Sequence, residues 1–230
     1  MLNDDEYDAA QSRLFGELEA GGISTTVPIR ARYIRAATCL SVLAFPPMAI
    51  ATAIQSRLID PLQVASPPHH FYSPGDLHVT VKNIRRAQEA AAFTLKDISN
   101  VRRVLTESNR RLPAFAFRLK GLLRMPGSIA VRAYATPSYV TVIKMLDEML
   151  SKAAIADDKV YQSTDVYCGN VTVCRFTSPL DDRLLTRIES LRNLDFGEFS
   201  ISQIHLVECD EVCSESSRLL HATVHIVGPA

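Results

Sequence analysis

The chain has 230 residues, 47% of them apolar, and its 25 basic side chains balance 25 acidic ones. That length supports a well-buried core, as one large domain or two small lobes, and the balance excludes a disordered polyelectrolyte. Charge is nevertheless uneven along the chain. Residues 101–132 carry eight Arg or Lys against one Glu, residues 1–19 six acids against one Arg, and residues 181–215 nine acids against three Arg. The basic stretch could face a phosphate-bearing partner, or form the solvated faces of a helix and a strand.

The first predicted element is a short helix over residues 4–19, stopped at Gly21-Gly22. Its acidic start, MLNDDEYDAAQ, is unlike the basic start of a secretion signal. Five cysteines with no such signal point to a reducing, cytoplasmic setting. Residues 36–56 carry no charge and have nearly the length of a membrane span. Pro46-Pro47 and the Ser, Thr and Gln within them instead indicate a strand, a turn and a helix, so no membrane partner is expected. In that helix Ile50, Ile54 and Leu58 share a face. Pro61 and Pro67-Pro68 are expected to hold an extended loop through HHFYSPGD, before a strand over residues 77–84.

Thr94 and Asp97 have the spacing of a capping box, opening a helix with Ile98, Val101 and Leu105 inward. Phe115, Phe117 and Leu119 alternate with Ala116, Arg118 and Lys120 as in a half-buried strand. Pro126-Gly127 turns the chain into the strand SIAVRAY, and Thr136-Pro137 starts a helix reaching about Ala153. The strand GNVTVCRF (169–176) follows a polar loop. Ser178-Pro179, with Asp181-Asp182 in the first turn, is expected to cap a helix presenting Leu184, Ile188 and Leu191. Residues 199–208 change phase near Ser202-Gln203, which reads as one bulged strand, and residues 220–227 form the last. The pattern is α+β with mixed sheets and no obvious linker.

Two strands share a frame. In LHVTV, His78 and Thr80 point to one face while Val79 and Val81 point to the other. In GNVTV, Asn170 and Thr172 do the same. An imidazole and hydroxyls suit a phosphate: one can exchange a proton near neutral pH, and the others can donate to phosphoryl oxygens. Alternation puts Lys82 on the His78 face, Cys174 beside Thr172, and Arg175 on the opposite face. His-x-Thr alone is a weak signal, since His221 and Thr223 repeat it in the last strand.

Taken with their context, these segments resemble the 2H phosphoesterase superfamily, in its LigT-like, 2′-5′ RNA ligase branch, over about residues 35–228. LHVTV matches the first motif, and GNVTVCRF matches the second except that Asn170 stands where its catalytic histidine belongs. The resemblance implies an α+β, bilobal LigT-like fold with mixed β-sheets around a central cleft and outer helices. It implies one domain over residues 35–230, with residues 1–34 an acidic extension. His78, Thr80 and Thr172 would be catalytic. The implied activity is phosphodiester chemistry on 2′,3′-cyclic phosphates or 2′,5′-linked RNA ends, with no cofactor or metal. An RNA end or small cyclic nucleotide would be the partner, and a monomer is favoured.

Asparagine cannot exchange a proton at neutral pH, so the second site should hold phosphate while turnover falls. A water, His69, His70 or His205 could substitute. Asn170, Lys82, Tyr72, Arg118 and Lys120 are candidate substrate contacts, although Lys82 could be an exposed lysine at a strand end and Tyr72 a core aromatic, while Arg175, on the opposite face, could brace the sheet. Cys168, Cys174, Cys209 and Cys213 lack paired zinc spacing and read as free thiols. Two readings compete with an enzyme: a degenerate RNA-end or nucleotide-binding module, and a scaffold using the acidic helix as a protein contact.

Overall fold

Strand alternation is realised in a single sheet. The computed structural model describes residues 3–22, 38–88, 92–158 and 163–227. Its strands are β1 (Thr38–Ala44), β2 (His70–Phe71), β3 (Val79–Gln88), β4 (Phe115–Met125), β5 (Ser128–Ala135), β6 (Gly169–Arg175), β7 (Asp195–Ile201), β8 (Gln203–Asp210) and β9 (Leu219–His225). They run in the order β7-β4-β5-β6-β3-β1-β8-β9, with β2 on β6. Every ladder between them is antiparallel, and a parallel bridge joins Pro113 to Val227.

The order forces a curl. Ser202 alone separates β7 from β8, yet they stand six places apart. In a flat sheet that gap would be about 29 Å, against roughly 3.8 Å for one residue step. The sheet therefore bends until its ends meet, and the Ile226 N–H donates to the Ser202 carbonyl at 2.9 Å. The expected single bulged strand over residues 199–208 is thus two strands at distant positions of the sheet.

Helices α2 (Met48–Ile54), α3 (Asp60–Ala65), α4 (Leu95–Glu107), α5 (Ser138–Lys152) and α6 (Asp182–Ser190) contribute to one core with the sheet face carrying Val79, Val131 and Val171. Ile54, Val101, Leu146 and Leu184 are buried there, each burial stabilising by roughly 1.5–3 kcal/mol. Thr94 and Asp97 form the expected capping box, at 3.3 Å and 2.7 Å. Asp181, rather than Ser178, caps α6, accepting from the Leu184 N–H at 2.8 Å. Pro61 does not open a loop. The helix instead runs on from α2 through a π turn at Gln55–Ile59, and Pro61 lies just beyond that turn, at the start of α3.

The uncharged residues 36–56 divide between β1 and α2, and among the described residues no helix is long and apolar enough to cross a membrane. The N-terminal helix α1 (Asp4–Gly22) lies against β4 and β5, with Tyr7 and Phe15 buried.

Candidate functional site

The two motif strands are neighbours. β3 and β6 are antiparallel, with Val79 opposite Val171. Constant register then sets His78 level with Thr172 and Thr80 level with Asn170, all four on the face opposite the core. They line one cleft of about 570 Å³. Gly169 permits the close approach: a Cβ there would meet Val79 Cγ1 at 2.7 Å.

Both strands carry a bulge at the same point. Thr80 faces Leu43 and Lys82 faces Val42 of β1, which leaves Val81 extra. Thr172 faces Ala130 and Cys174 faces Ile129 of β5, which leaves Val173 extra. One extra residue reverses the faces beyond it. Asn83 and Arg175, each three residues after its threonine, consequently line the cleft. Lys82 and Cys174 turn to the outer side. This corrects the expected phosphate-steering role of Lys82: its side chain is fully buried, paired with Asp147 and, at 2.6 Å, with Asp157. Cys174 is a core residue rather than a pocket border, and Arg175 is a cleft cation rather than a brace on the far face.

His78 is oriented from behind. Its Nδ1 lies 2.7 Å from the Asp76 carbonyl oxygen. A carbonyl only accepts, so Nδ1 carries the hydrogen and Nε2 presents a lone pair. Burial, aided by the charges of Arg218 and Arg175, pushes the imidazole pKa down to about 4. The ring is therefore neutral at pH 7 and suited to accept a proton.

The loop carrying His78 is clamped by the turn after β8. The Glu215 N–H donates to Asp76 Oδ1 at 2.7 Å, and Arg218 Nη2 donates to the Gly75 carbonyl at 2.5 Å. Tyr72, buried to 2% exposure, lines the cleft floor, and its hydroxyl accepts from Arg175 Nε at 3.3 Å. Ser41 donates to Asn83 Oδ1 at 3.4 Å. Glu211 also lines the cleft, its carboxyl pKa raised by burial.

The other predicted residues lie elsewhere. His205 shares the cleft face through Leu43, which is opposite both it and Thr80, but it contacts Thr223 Oγ1 at 3.1 Å and Phe45, outside the cleft lining. His69 is buried: its Nδ1 accepts from the Thr177 N–H at 3.3 Å and its ring meets Phe176 edge-on. His70 sits opposite Arg175 in β2 and against the Tyr72 ring, also outside the lining. Arg118 and Lys120 are on β4, where Arg118 donates to Asp195 at 2.8 Å. None of these histidines is placed in the cleft to replace the missing one. The residues missed were Asn83, Arg175 and Glu211. For the first two a signal existed, the repeated Thr-Val-x-polar interval.

Cys39, Cys209 and Cys213 line one cleft wall, with the Cys39 and Cys209 sulfurs 3.4 Å apart. Among the described residues no group of three or more His, Cys, Asp or Glu is disposed to hold a metal ion.

No family model matches the chain, and no curated protein matches it either. Solved structures do. Escherichia coli LigT in complex with ATP superposes with a TM-score of 0.54 at 9% identity, over 83% of this chain and 99% of that one. The Agrobacterium tumefaciens protein ATU0111 gives 0.55 at 14% identity, over 90% and 99%. TT0787 of Thermus thermophilus gives 0.51 at 15%, over 84% and 100%. The chain has the LigT fold. At these identities it is the architecture that is shared: a curled α+β sheet with outer helices. Since 83% of this chain accounts for 99% of LigT, this version of the LigT fold carries additional residues.

Proposed function

We propose that the cleft performs 2H-type phosphodiester chemistry on a 2′,3′-cyclic phosphate, of a nucleotide or an RNA end, at a rate limited by Asn170. One observation carries this reading: a neutral imidazole with its Nε2 lone pair available shares a face with two threonine hydroxyls and a guanidinium. LigT supports the ligand class, having been crystallised with ATP, with 3′-AMP and with phosphate.

In the proposed reaction Thr80 and Thr172 donate to the nonbridging oxygens, and Arg175 balances their charge. His78 Nε2 takes a proton from water, whose oxygen bonds to phosphorus as the ester oxygen departs. That oxygen needs a proton. Asn170, level with Thr80, can hydrogen-bond to it but cannot supply one. Glu211, biased toward its protonated form, is the acid we assign to this step, in place of the histidines considered from sequence. Loss of a positioned donor lowers rates by roughly 10²–10⁴.

The test compares hydrolysis of a 2′,3′-cyclic mononucleotide by wild type, His78→Ala and Asn170→His. Slow wild-type turnover, none in the first variant and a gain of at least about tenfold in the second are expected. Equal rates in all three sink the mechanism. Asn170 also favours a second reading, a nucleotide-binding module. Its signature is 3′-nucleotide binding in wild type with no turnover, even in Asn170→His.

A further inference from the structure

The sheet face that floors the cleft continues past Asn170. Across the β6–β5 ladder Asn170 stands opposite Arg132. Two residues further along β5, Tyr134 stands opposite Arg118 of β4. The β4–β5 ladder shifts register between Leu119 and Leu122, beside Arg132, but the extra residue is on β4. Alternation along β5 is therefore kept, and Asn170, Arg132, Tyr134 and Arg118 share the cleft face, stepping outward by about 4.8 Å per strand. A polyanion leaving the cleft over β5 would meet Arg132 first.

Helix α1 already covers the Arg132 and Tyr134 part of that surface, while Arg118 stays exposed and paired with Asp195. Glu19 accepts from Arg132 Nη2 at 2.7 Å and from Arg192 Nη2 at 3.2 Å. Phe15, 1% exposed, meets the Tyr134 ring edge-on at 5.1 Å and lies beneath the Arg132 guanidinium at 5.6 Å. Asp8 feels the charge of Arg118. Backbone contacts lock the other end: Gln11 accepts from the Ala135 N–H at 2.7 Å and donates to its carbonyl at 3.0 Å, while Tyr7 bonds both backbone groups of Tyr167. The helix bears six acids and one arginine. Its carboxylates meet the basic side chains as phosphates would. The cover is also imperfect: Arg132 Nε is buried with no hydrogen-bond partner among the described residues.

We infer that α1 is a built-in substitute for a nucleic-acid strand, occupying the basic face beside Asn170 and confining the cleft to a mononucleotide or the terminal residue of an RNA. The inference rests on the phosphate-binding reading of the cleft and adds the substrate's size. A single-stranded RNA that engages the surface must displace Glu19 and Phe15, exchanging one set of anions for another at the same arginines. Chain length should then add little affinity in the intact protein. It should add much once α1 is loosened.

The experiment measures binding of two product-like ligands, a 3′-mononucleotide and an RNA hexamer with a 3′-phosphate, over a range of salt concentrations. It uses wild type, Glu19→Gln, and Glu19→Gln combined with Phe15→Ala. Amide exchange of residues 4–22 reports whether α1 has loosened. Wild type should bind the two ligands within about threefold, with the same salt slope. The double variant should bind the hexamer at least about tenfold tighter, with a slope steeper by about one, and the mononucleotide as before. Glu19→Gln alone should fall between. A wild type that already prefers the hexamer tenfold overturns the inference and leaves the cleft reading standing. So does a double variant with exchanging α1 amides and no hexamer gain. Absence of mononucleotide binding to wild type overturns the cleft reading and this inference with it.

Discussion

His78 and Asn170 occupy matching places in two matching strands, and only one of them titrates. The depressed His78 pKa has consequences for both rate and stability. As a base the imidazole is competent above about pH 4, so the acid limb of kcat/KM should fall near pH 4 rather than at the 6.5 of an unperturbed histidine. For stability, the folded state resists the proton that the unfolded state accepts below pH 6.5. The stability is therefore complete above that value and is lost as pH falls toward 4. Between pH 7.5 and pH 5 the wild type should lose about 1–2 kcal/mol more than His78→Asn, read from urea unfolding at both values. Equal losses would place His78 in a water-like environment. Glu211 gives the complementary limb. Activity should decline as rising pH ionises it, and Glu211→Gln should lower kcat by about 10–100-fold with little change in KM while flattening the basic side of the profile.

At the scale of elements, the two bulges decide which side chains reach the substrate. A period-two reading of VTVKN puts Lys82 with His78. The structure puts Asn83 there because Val81 is an unopposed residue against β1. Sequence alternation could place Thr80 and Thr172, which precede the bulges, but not Lys82 or Arg175, which follow them. The extra residue is defined by the partner strand, and either strand read alone does not show it; only the interval from threonine to polar residue, repeated in both strands, points to it. The capping box at Thr94 was legible for the opposite reason, since its bonds are local. Lys82 now belongs to the outer layer, where its ammonium holds two carboxylates from beyond β3. Removing it leaves Asp157 buried without that cation. Lys82→Met should cost about 3–5 kcal/mol in urea unfolding while leaving 3′-nucleotide affinity unchanged at temperatures where the variant is folded. A loss of affinity without a loss of stability would return Lys82 to the cleft.

At the scale of the molecule, the main path of the sheet divides into β7-β4-β5-β6, with β2 added on β6, and β3-β1-β8-β9, joined where β3 meets β6 and again through Ser202. The likeness between LHVTV and GNVTV made the two halves legible. Their closure was not, because no glycine or proline marks Ser202 as the point where the chain leaves one half for the other. The site lies on the seam, so its geometry depends on how closely the halves approach. Gly169 controls that approach. A methyl group there would stand 2.7 Å from Val79 Cγ1 and 3.2 Å from Phe117 Cε1, in a core with no room to receive it. Gly169→Ala should therefore destabilise the fold by about 1–3 kcal/mol. It should also push β6 from β3, separating Thr172 from His78 and Asn170 from Thr80. The expected result is weaker 3′-nucleotide binding even at temperatures where unfolding curves show the variant fully folded. Val171→Ala, on the same strand but pointing into the core, provides the contrast: a stability loss of similar size with the cleft contacts unmoved and affinity retained. If both variants bind nucleotide as wild type does, the two halves do not share the ligand.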